Sequence, residues 1–266
     1  MKLLHFTAIL LAFLILSCQQ DPQIQTTIED LTGINSEVKQ KIINLGFNPE
    51  NSFKTPGGYI VEGDIFLTEE DLVSLPNLRI PVLEQYRTTN LVTVPNTNTK
   101  TISISLNKEV SSLAPALDEA IARYNAENLK LRFQRVSKNG NIKISKAASS
   151  AGYLASAGFP YKGRPYSNIS VNLPLLGSQP FGTIVTVLAH EMGHCIGFRH
   201  TDYYNRSISC GGTAYSEGAT SAGAIHIPGT PEEAVFSDQS WMLSCIGSGH
   251  DRPFNVDDKI ALDYLY

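Results

Sequence analysis

Three of the six histidines in this 266-residue chain lie within one short stretch, LAHEMGHCIGFRHTD. The residues around its start, 181–196, are helix formers and apolar residues, which predicts a helix. His190 and His194 are then one turn apart, so their imidazoles would lie on the same face of that helix. Two neutral imidazoles at about 2.0 Å from one cation supply half of a tetrahedral zinc shell. The spacing therefore predicts a metal site on the helix.

The next residues favour a catalytic site over a structural one. Gly197 permits a backbone turn that a residue with a side chain would resist, and this turn would bring His200 back as a third ligand. Glu191 lies beside His190 around the helix, so its carboxylate could reach a metal-bound water without binding the metal. Three protein ligands leave one position open, as in catalytic zinc sites. We predict one catalytic Zn²⁺ with Glu191 as general base; the alternative is core or surface histidines that have this spacing by chance.

The pattern HEMGHCIGFRH resembles the metzincin signature of zinc metalloproteases, and within that clan it looks most like the bacterial HEIGH metallopeptidases, a group near the astacins. The resemblance implies a tight turn carrying a methionine beneath the metal, and DQSWMLSC supplies Met242 for it. The alternative role for Met242 is a buried side chain that fills a gap. Astacins have a tyrosine two residues after that methionine, whereas this chain has Ser244, so a tyrosine ligand is not implied.

The segment VEGDI, residues 61–65, resembles the propeptide motif of astacins, in which an aspartate binds the zinc in place of water. The resemblance implies that Asp64 is such a switch, because a carboxylate oxygen is an acceptable zinc ligand. Residues 19–97 would then be an inhibitory pro-segment followed by a linker in which activation cuts. The alternative is that Gly-Asp forms an ordinary turn between two extended runs.

The first eighteen residues have the composition of a signal peptide. Lys2 precedes an apolar run that is shorter than a membrane span, and the run ends in ILSC. This ending resembles the lipobox of bacterial lipoproteins, which implies lipidation of Cys18 and attachment to a membrane through the lipid. We expect an extracytoplasmic protein that is anchored at the outer membrane or cell surface and that processing can release. The alternatives are an ordinary secretory signal and an uncleaved anchor helix.

The other three cysteines cannot all pair with one another. An oxidising compartment permits one disulfide and one remaining thiol. Cys210 and Cys245 lie in glycine-bearing, loop-like sequence, whereas Cys195 falls in the apolar helix, where a buried thiol is common. We favour a bridge between Cys210 and Cys245; intermolecular pairing and three free thiols are the alternatives.

The charge of the chain argues against a nucleic-acid partner. Its 21 basic and 25 acidic residues give a formal charge of −4 and form no basic stripe. The expected partner is a protein or peptide substrate, and we expect a monomer.

The chain divides near residue 98. Before it, the sequence predicts a short helix with Asn35 or Ser36 as its N-cap and Gly46 as its C-terminal stop. Residues 59–67 predict an extended run, and Thr68 the cap of a second small helix. The Thr- and Asn-rich stretch 87–100 predicts a linker. The catalytic domain would occupy residues 98–266. Two residues in its glycine-rich second half, His226 and His250, have no evident catalytic role.

Alternating apolar residues predict strands around residues 102–106, 129–134 and 169–173, and NIKISK and GYLASAGF could add two more. A helical period at residues 113–124 predicts an amphipathic helix. The predicted fold is α+β and metzincin-like: a twisted sheet of about five strands, an active-site helix, a smaller loop-rich C-terminal subdomain and a C-terminal helix. That last helix would begin after Asn255 and bury Val256, Ile260 and Leu265. By analogy with the clan, residues 152–158 would form the edge strand that pairs with substrate.

Together these features predict a zinc-dependent endopeptidase that hydrolyses peptide bonds of extracytoplasmic proteins and is made as a latent lipoprotein precursor. One alternative is a catalytically idle surface binding or adhesion lipoprotein, which would have lost Glu191 or a ligand; none is lost here. A metal-dependent attack on a non-peptide amide or ester is another alternative.

Overall fold

The structure, a computed structural model, describes residues 33–45, 47–73, 85–96, 98–218, 222–231 and 239–266. The expected signal peptide, with Cys18, lies outside these ranges. The α-helices are α1 (Ser36–Asn44), α2 (Ala114–Ala126), α3 (Leu173–Leu176), α4 (Phe181–Ile196), α5 (Ser207–Cys210) and α6 (Val256–Leu265). The strands are β1 (Phe53–Thr55), β2 (Gly58–Val61), β3 (Ile65–Thr68), β4 (Tyr86–Arg87), β5 (Lys100–Leu106), β6 (Leu131–Val136), β7 (Ile142–Lys146), β8 (Ala155–Ala157), β9 (Asn168–Val171) and β10 (Ile225–His226). No helix in the described ranges combines the length and apolar character of a membrane span.

The main sheet contains eight strands in the order β1-β2-β3-β8-β9-β7-β5-β6. Five of them, β5 to β9, lie after residue 98, as the alternating patterns predicted. On β6 the alternation is direct, because Leu131 and Phe133 are buried whereas Arg132 and Gln134 are exposed. Strands β9, β7, β5 and β6 run parallel to one another, and β8 runs antiparallel to β9. The α+β class is confirmed.

Helices α2 and α4 pack on the sheet and form the main core with it. The apolar face of α2 is the one predicted from spacing, with Leu117, Ala120 and Tyr124 almost fully buried. The Tyr124 hydroxyl donates a hydrogen bond to the carbonyl of Ala189 in the middle of α4 (2.8 Å). This contact fixes α4 against α2 and so helps to position the side chains of α4.

The N-terminal part adds a hairpin to this sheet. The extended run predicted for residues 59–67 is wrong, because the chain turns back between β2 and β3. Glu62 and Gly63 have φ angles of +54° and +94°, and this left-handed backbone closes the turn. Strand β3 then pairs in parallel with β8, with Ile65 opposite Ala157. The hairpin therefore covers the edge of the sheet formed after residue 98.

The short elements of the N-terminal part begin where the sequence predicted. Helix α1 is capped by Asn35, whose side chain accepts from the amide of Val38 (2.9 Å). After β3, the amide and hydroxyl of Thr68 donate to Asp71, and a 3₁₀ turn follows at Asp71–Val73. The stop predicted at Gly46 lies outside the described residues.

The predicted linker contains the short strand β4, which pairs with β10. Its neighbour Thr88 donates its amide to the carbonyl of Gly197 at the end of α4 (2.8 Å), and Val92 is buried in the main core. Residues 86–92 thus lie against the C-terminal part. The boundary near residue 98 and the pro-segment of residues 19–97 stay predictions.

Helix α6 begins as predicted but presents a different face to the core. Asn255 and Asp258 form a capping box. The carboxylate of Asp258 is fully buried and also accepts from Ser240 (2.6 Å), which draws its own side of the helix inward. Val256 is consequently 73% exposed and Ile260 37% exposed. The expected burial of these two apolar residues is wrong.

Candidate metal centre

Helix α4 carries two of the predicted ligands and ends at the predicted glycine. Gly197 has a φ of +116° and caps the helix in the left-handed conformation. A Cβ at this position would lie 2.7 Å from Leu91 Cδ2 and 3.0 Å from Thr88 Oγ1. Both the backbone conformation and the lack of space therefore require glycine, and the reversal carries the chain to His200.

The three histidines converge on one point. The Nε2 atoms of His194 and His200 are 3.2 Å apart, and the ligand atoms of His190, His194, His200 and Asp64 all lie within 4.8 Å of one another. All three rings are buried. In a tetrahedral shell with bonds of about 2.05 Å, neighbouring ligand atoms are about 3.3 Å apart. The spacing is that of a metal shell.

The opposite nitrogen of each ring is held by an acceptor. Nδ1 of His190 donates to the carbonyl of Trp241 (2.9 Å), and Nδ1 of His194 donates to the carbonyl of Phe198 (2.9 Å). Since a carbonyl can only accept, the proton of each neutral ring is on Nδ1 and the lone pair of Nε2 faces the common centre. Burial and the two neighbouring imidazoles lower the pKa of His194 well below its usual value, which keeps that ring neutral.

His200 is oriented by a residue that sequence analysis missed. Its Nδ1 donates to Oε1 of Glu217 (2.7 Å), a fully buried carboxylate. Burial opposes the ionisation of Glu217, but His200 and Arg206 outweigh that effect and lower its pKa. A carboxylate behind a ligating histidine fixes the ring and makes it a stronger ligand. Glu217 lies in the glycine-rich segment, where no spacing pattern identified it.

Asp64 reaches the same centre from the turn before β3. Its Oδ2 lies 3.2 Å from Nε2 of His200 and 3.4 Å from Nε2 of His190. Burial opposes the charge, yet the two histidines hold the pKa of Asp64 well below its usual value. The carboxylate is therefore ionised, as a metal ligand must be.

These four residues fit a zinc ion. Nε2 of His190 and Oδ1 of Asp64 are buried and have no hydrogen-bond partner within the described residues, an arrangement that is costly unless a cation fills it. Imidazole and carboxylate donors in a four-membered set suit Zn²⁺. The sulfur of Cys195 is buried in α4 and is not in the ligand cluster.

Met242, the residue that the resemblance assigns to the turn, lies against helix α4. It is fully buried, and a Cβ added to Gly193 would lie 2.6 Å from its sulfur, so Met242 packs directly against α4 one residue before His194. The hydroxyl of Ser244 donates to Asp202 (2.7 Å) and Glu217 (3.2 Å). Ser244 therefore supports the residue behind His200.

The disulfide joins Cys210 to Cys245, the favoured pair. Cys195 is left as a buried free thiol, and burial raises its pKa well above the usual value. The bridge ties α5 to the segment after Met242. Neither His226, whose Nε2 contacts Thr230, nor His250 belongs to the metal cluster.

Glu191 lies next to the centre and lines a cavity of about 230 Å³ together with His190. The cavity extends from the start of β8 to the segment after Met242, and most of its lining is apolar. Oε2 of Glu191 is buried and accepts no hydrogen bond within the described part of the chain. Burial, and the charge of Asp64, raise its pKa. A carboxylate in such a setting has a strengthened tendency to take up a proton.

Comparison with known proteins decides the class of this centre. The family model described as dual-action HEIGH metallo-peptidase matches residues 59–266. The chain belongs to the HEIGH metallopeptidase family. The matched range contains Asp64, Glu191 and the three histidines, so the cluster that could hold a metal ion lies in the part of the chain that the metallopeptidase family model covers.

The solved structures that match the chain include myroilysin and a fish hatching enzyme. A structure of myroilysin is 14% identical, with a TM-score of 0.40, and the alignment covers 65% of this chain and 81% of that one. High choriolytic enzyme 1, a hatching-enzyme zinc protease from the medaka Oryzias latipes, is 15% identical, with a TM-score of 0.32 and coverage of 58% and 90%. None of the curated proteins compared matches significantly. The family assignment rests on the family match alone.

Proposed function

We propose that this metallopeptidase is an extracytoplasmic zinc endopeptidase made as a latent lipoprotein precursor. The observation that carries the proposal is the meeting of Asp64 with three convergent imidazoles beside Glu191. His190, His194 and His200 would hold the catalytic ion, and Asp64 would occupy the position that a peptidase needs for water.

The reaction follows from the side chains around the centre. Zinc held by the three imidazoles would supply a Lewis acid, which would polarise the scissile carbonyl and lower the pKa of bound water to near neutral. Glu191 accepts the proton of the attacking water and passes it to the leaving amine nitrogen. Its buried carboxylate suits this task, because burial raises its proton affinity. Glu217 holds the proton on Nδ1 of His200 throughout.

The sheet supports both the substrate direction and the latency. Without residues 19–97, β8 would be the edge strand, and an extended substrate would pair with it antiparallel. Strand β3 instead runs parallel to β8, and the amide of Ala157 donates to the carbonyl of Asp64 (3.2 Å). In this proposal the pro-segment lies along the edge in the reverse of the substrate direction, which would keep its own peptide bonds from being cut.

Membrane attachment is part of the same proposal. A lipidated Cys18 would anchor the chain, since each buried methylene of a lipid contributes about 0.8 kcal/mol, and the Cys210–Cys245 disulfide suits an oxidising compartment. We expect the full chain, expressed in a bacterium that processes lipoproteins, to partition into the detergent phase. Cys18→Ser should move it to the aqueous phase, and equal partitioning of both would contradict the anchor.

A cleavage assay tests the catalytic part of the proposal. The full chain is loaded with zinc and its pro-segment is cut by added trypsin, which is then inhibited. We expect the processed protein to cut casein internally and the unprocessed protein to do so far more slowly. If processed, zinc-loaded protein binds casein without cutting it, the chain is an idle binder and the proposal fails.

A further inference from the structure

We propose that Arg206 is a specificity residue that binds an acidic substrate side chain just after the scissile bond. This inference rests on the proposed function and adds a substrate class to it. The residues concerned are Arg206 and Asp64, which line the cavity, and Glu62, whose main-chain carbonyl accepts a hydrogen bond from Arg206.

The cavity lies on the side of the cleft that receives the residues after the cleaved bond. It is lined by Tyr153, Leu154 and Ala155, at the start of β8. A substrate antiparallel to β8 runs towards the start of that strand, so its C-terminal part would reach these residues. Val187, one turn before His190 on α4, lines the same space. The cavity is therefore adjacent to the metal on the leaving-group side.

Arg206 supplies a guanidinium to this largely apolar space. The side chain is only 5% exposed. One terminal nitrogen, Nη1, donates to Oε1 of Glu217 (2.9 Å) and also to the main-chain carbonyl of Glu62. The other, Nη2, lies 3.7 Å from the sulfur of Cys210. Its Nε has no hydrogen-bond partner among the described residues. Arg206 thus binds the pro-segment through the Glu62 carbonyl oxygen, and its Nε–H remains available to donate another hydrogen bond.

The charged residues around Arg206 explain why the substrate oxygen that replaces the Glu62 carbonyl should belong to a carboxylate. Asp64 lines the same cavity as Arg206, and Glu62 is buried at 4% exposure, with Oε2 3.9 Å from Arg199. When the pro-segment leaves, the carboxylate of Asp64 leaves this cavity. Glu217 would then be the carboxylate shared by two buried guanidiniums and His200. A buried site with excess positive charge favours an incoming anion.

An arginine suits this task because its planar group can bind a carboxylate through two parallel hydrogen bonds. The anion would come from an Asp or Glu side chain in the first or second residue after the scissile bond. The apolar lining, which includes Leu243 and Ile246, excludes water and so strengthens the pairing. Substrates with the uncharged residues Gln or Asn at that position would lose the ion pair with Arg206.

The test uses the full chain, zinc-loaded and processed with trypsin. A bond that the enzyme cuts in casein is identified by mass spectrometry, and synthetic peptides spanning it carry Glu or Gln at the first or second following position. We expect kcat/KM for the better Glu peptide to exceed that of its Gln partner about tenfold or more. The ratio should change only weakly with salt, because a buried ion pair is screened far less than an exposed one.

Variants assign the preference to one residue. Arg206→Gln should bring the Glu/Gln ratio of kcat/KM close to one. Arg206→Lys keeps the charge but loses the planar guanidinium with its paired donors, so it should give an intermediate ratio. Arg252→Gln is the matched control, because Arg252 lines the same cavity and bonds to the carbonyl of Cys245 (2.9 Å); it should keep the ratio. A ratio is insensitive to the fraction of folded enzyme, so a purely structural role of Arg206 would not change it.

The outcomes separate the two proposals. If processed enzyme cuts no peptide, the proposed function fails. If it cuts Glu and Gln peptides equally well, the function stands and the role of Arg206 is overturned. Loss of the preference in Arg252→Gln but not in Arg206→Lys or Arg206→Gln would also overturn it. Should Arg206→Gln fail to fold, the wild-type ratio and Arg206→Lys still decide.

Discussion

Glu191→Ala in the processed, zinc-loaded protein should lower kcat by roughly a hundred- to ten-thousand-fold, the usual contribution of a general base. Zinc binding should be retained, since Glu191 does not belong to the four-residue ligand cluster. The measurement is the rate of internal casein cleavage together with the zinc content of the variant. A loss of activity with full zinc content would assign Glu191 to proton transfer rather than to metal binding.

The matched control is Glu109→Ala. Glu109 is an exposed glutamate in the 3₁₀ turn before α2, far along the chain from the centre. The Glu109→Ala variant should cleave casein at the wild-type rate. Wild-type cleavage by Glu191→Ala itself would remove this carboxylate from the mechanism, whatever the metal content.

Asp64→Ala should give the unprocessed full chain measurable activity, roughly tenfold or more above the unprocessed wild type. The carboxylate lies within 3.4 Å of two of the imidazole nitrogens, and its removal opens the coordination position that substrate chemistry needs. The increase should stay below that of trypsin processing, because β3 would still cover the edge of β8. Activity is measured on a short fluorogenic peptide before any protease is added.

Glu69→Ala is the control for this prediction. It removes a carboxylate just beyond the other end of β3, where the Glu69 side chain is 65% exposed and pairs with Lys54 at 3.5 Å. This variant should remain as latent as the wild type. A folded, zinc-containing Asp64→Ala protein that is equally silent would mean that the covered strand alone, without the aspartate, maintains latency.

The parts of the site that sequence predicted are those set by local rules. Helix α4 and the positions of His190 and His194 on one face follow from the helical period, and the reversal to His200 follows from a glycine whose φ is positive. Each of these signals lies within a few residues of the feature it specifies. The prediction of the ligand helix therefore needed no knowledge of the rest of the fold.

Other features depend on contacts between distant parts of the chain. Glu217 reaches His200 only because the glycine-rich segment folds back on it, and the sequence between them carries no spacing pattern. A turn in this region was predicted only as an alternative, at Gly63 and Asp64, and it begins one residue earlier because the non-glycine residue Glu62 adopts a positive φ. The buried face of α6 is set by Asp258, whose carboxylate is bonded to Ser240, and hydrophobic pattern alone selected Val256 instead.

The central claim is that three imidazoles and one carboxylate bind one zinc ion in the unprocessed chain. X-ray absorption at the zinc edge, with metal analysis of the same sample, tests it most directly. We expect one zinc per chain, with nitrogen and oxygen neighbours at about 2.0–2.1 Å and a multiple-scattering pattern of imidazole. Absence of stoichiometric zinc after metal loading, or a sulfur neighbour at about 2.3 Å, would contradict the account.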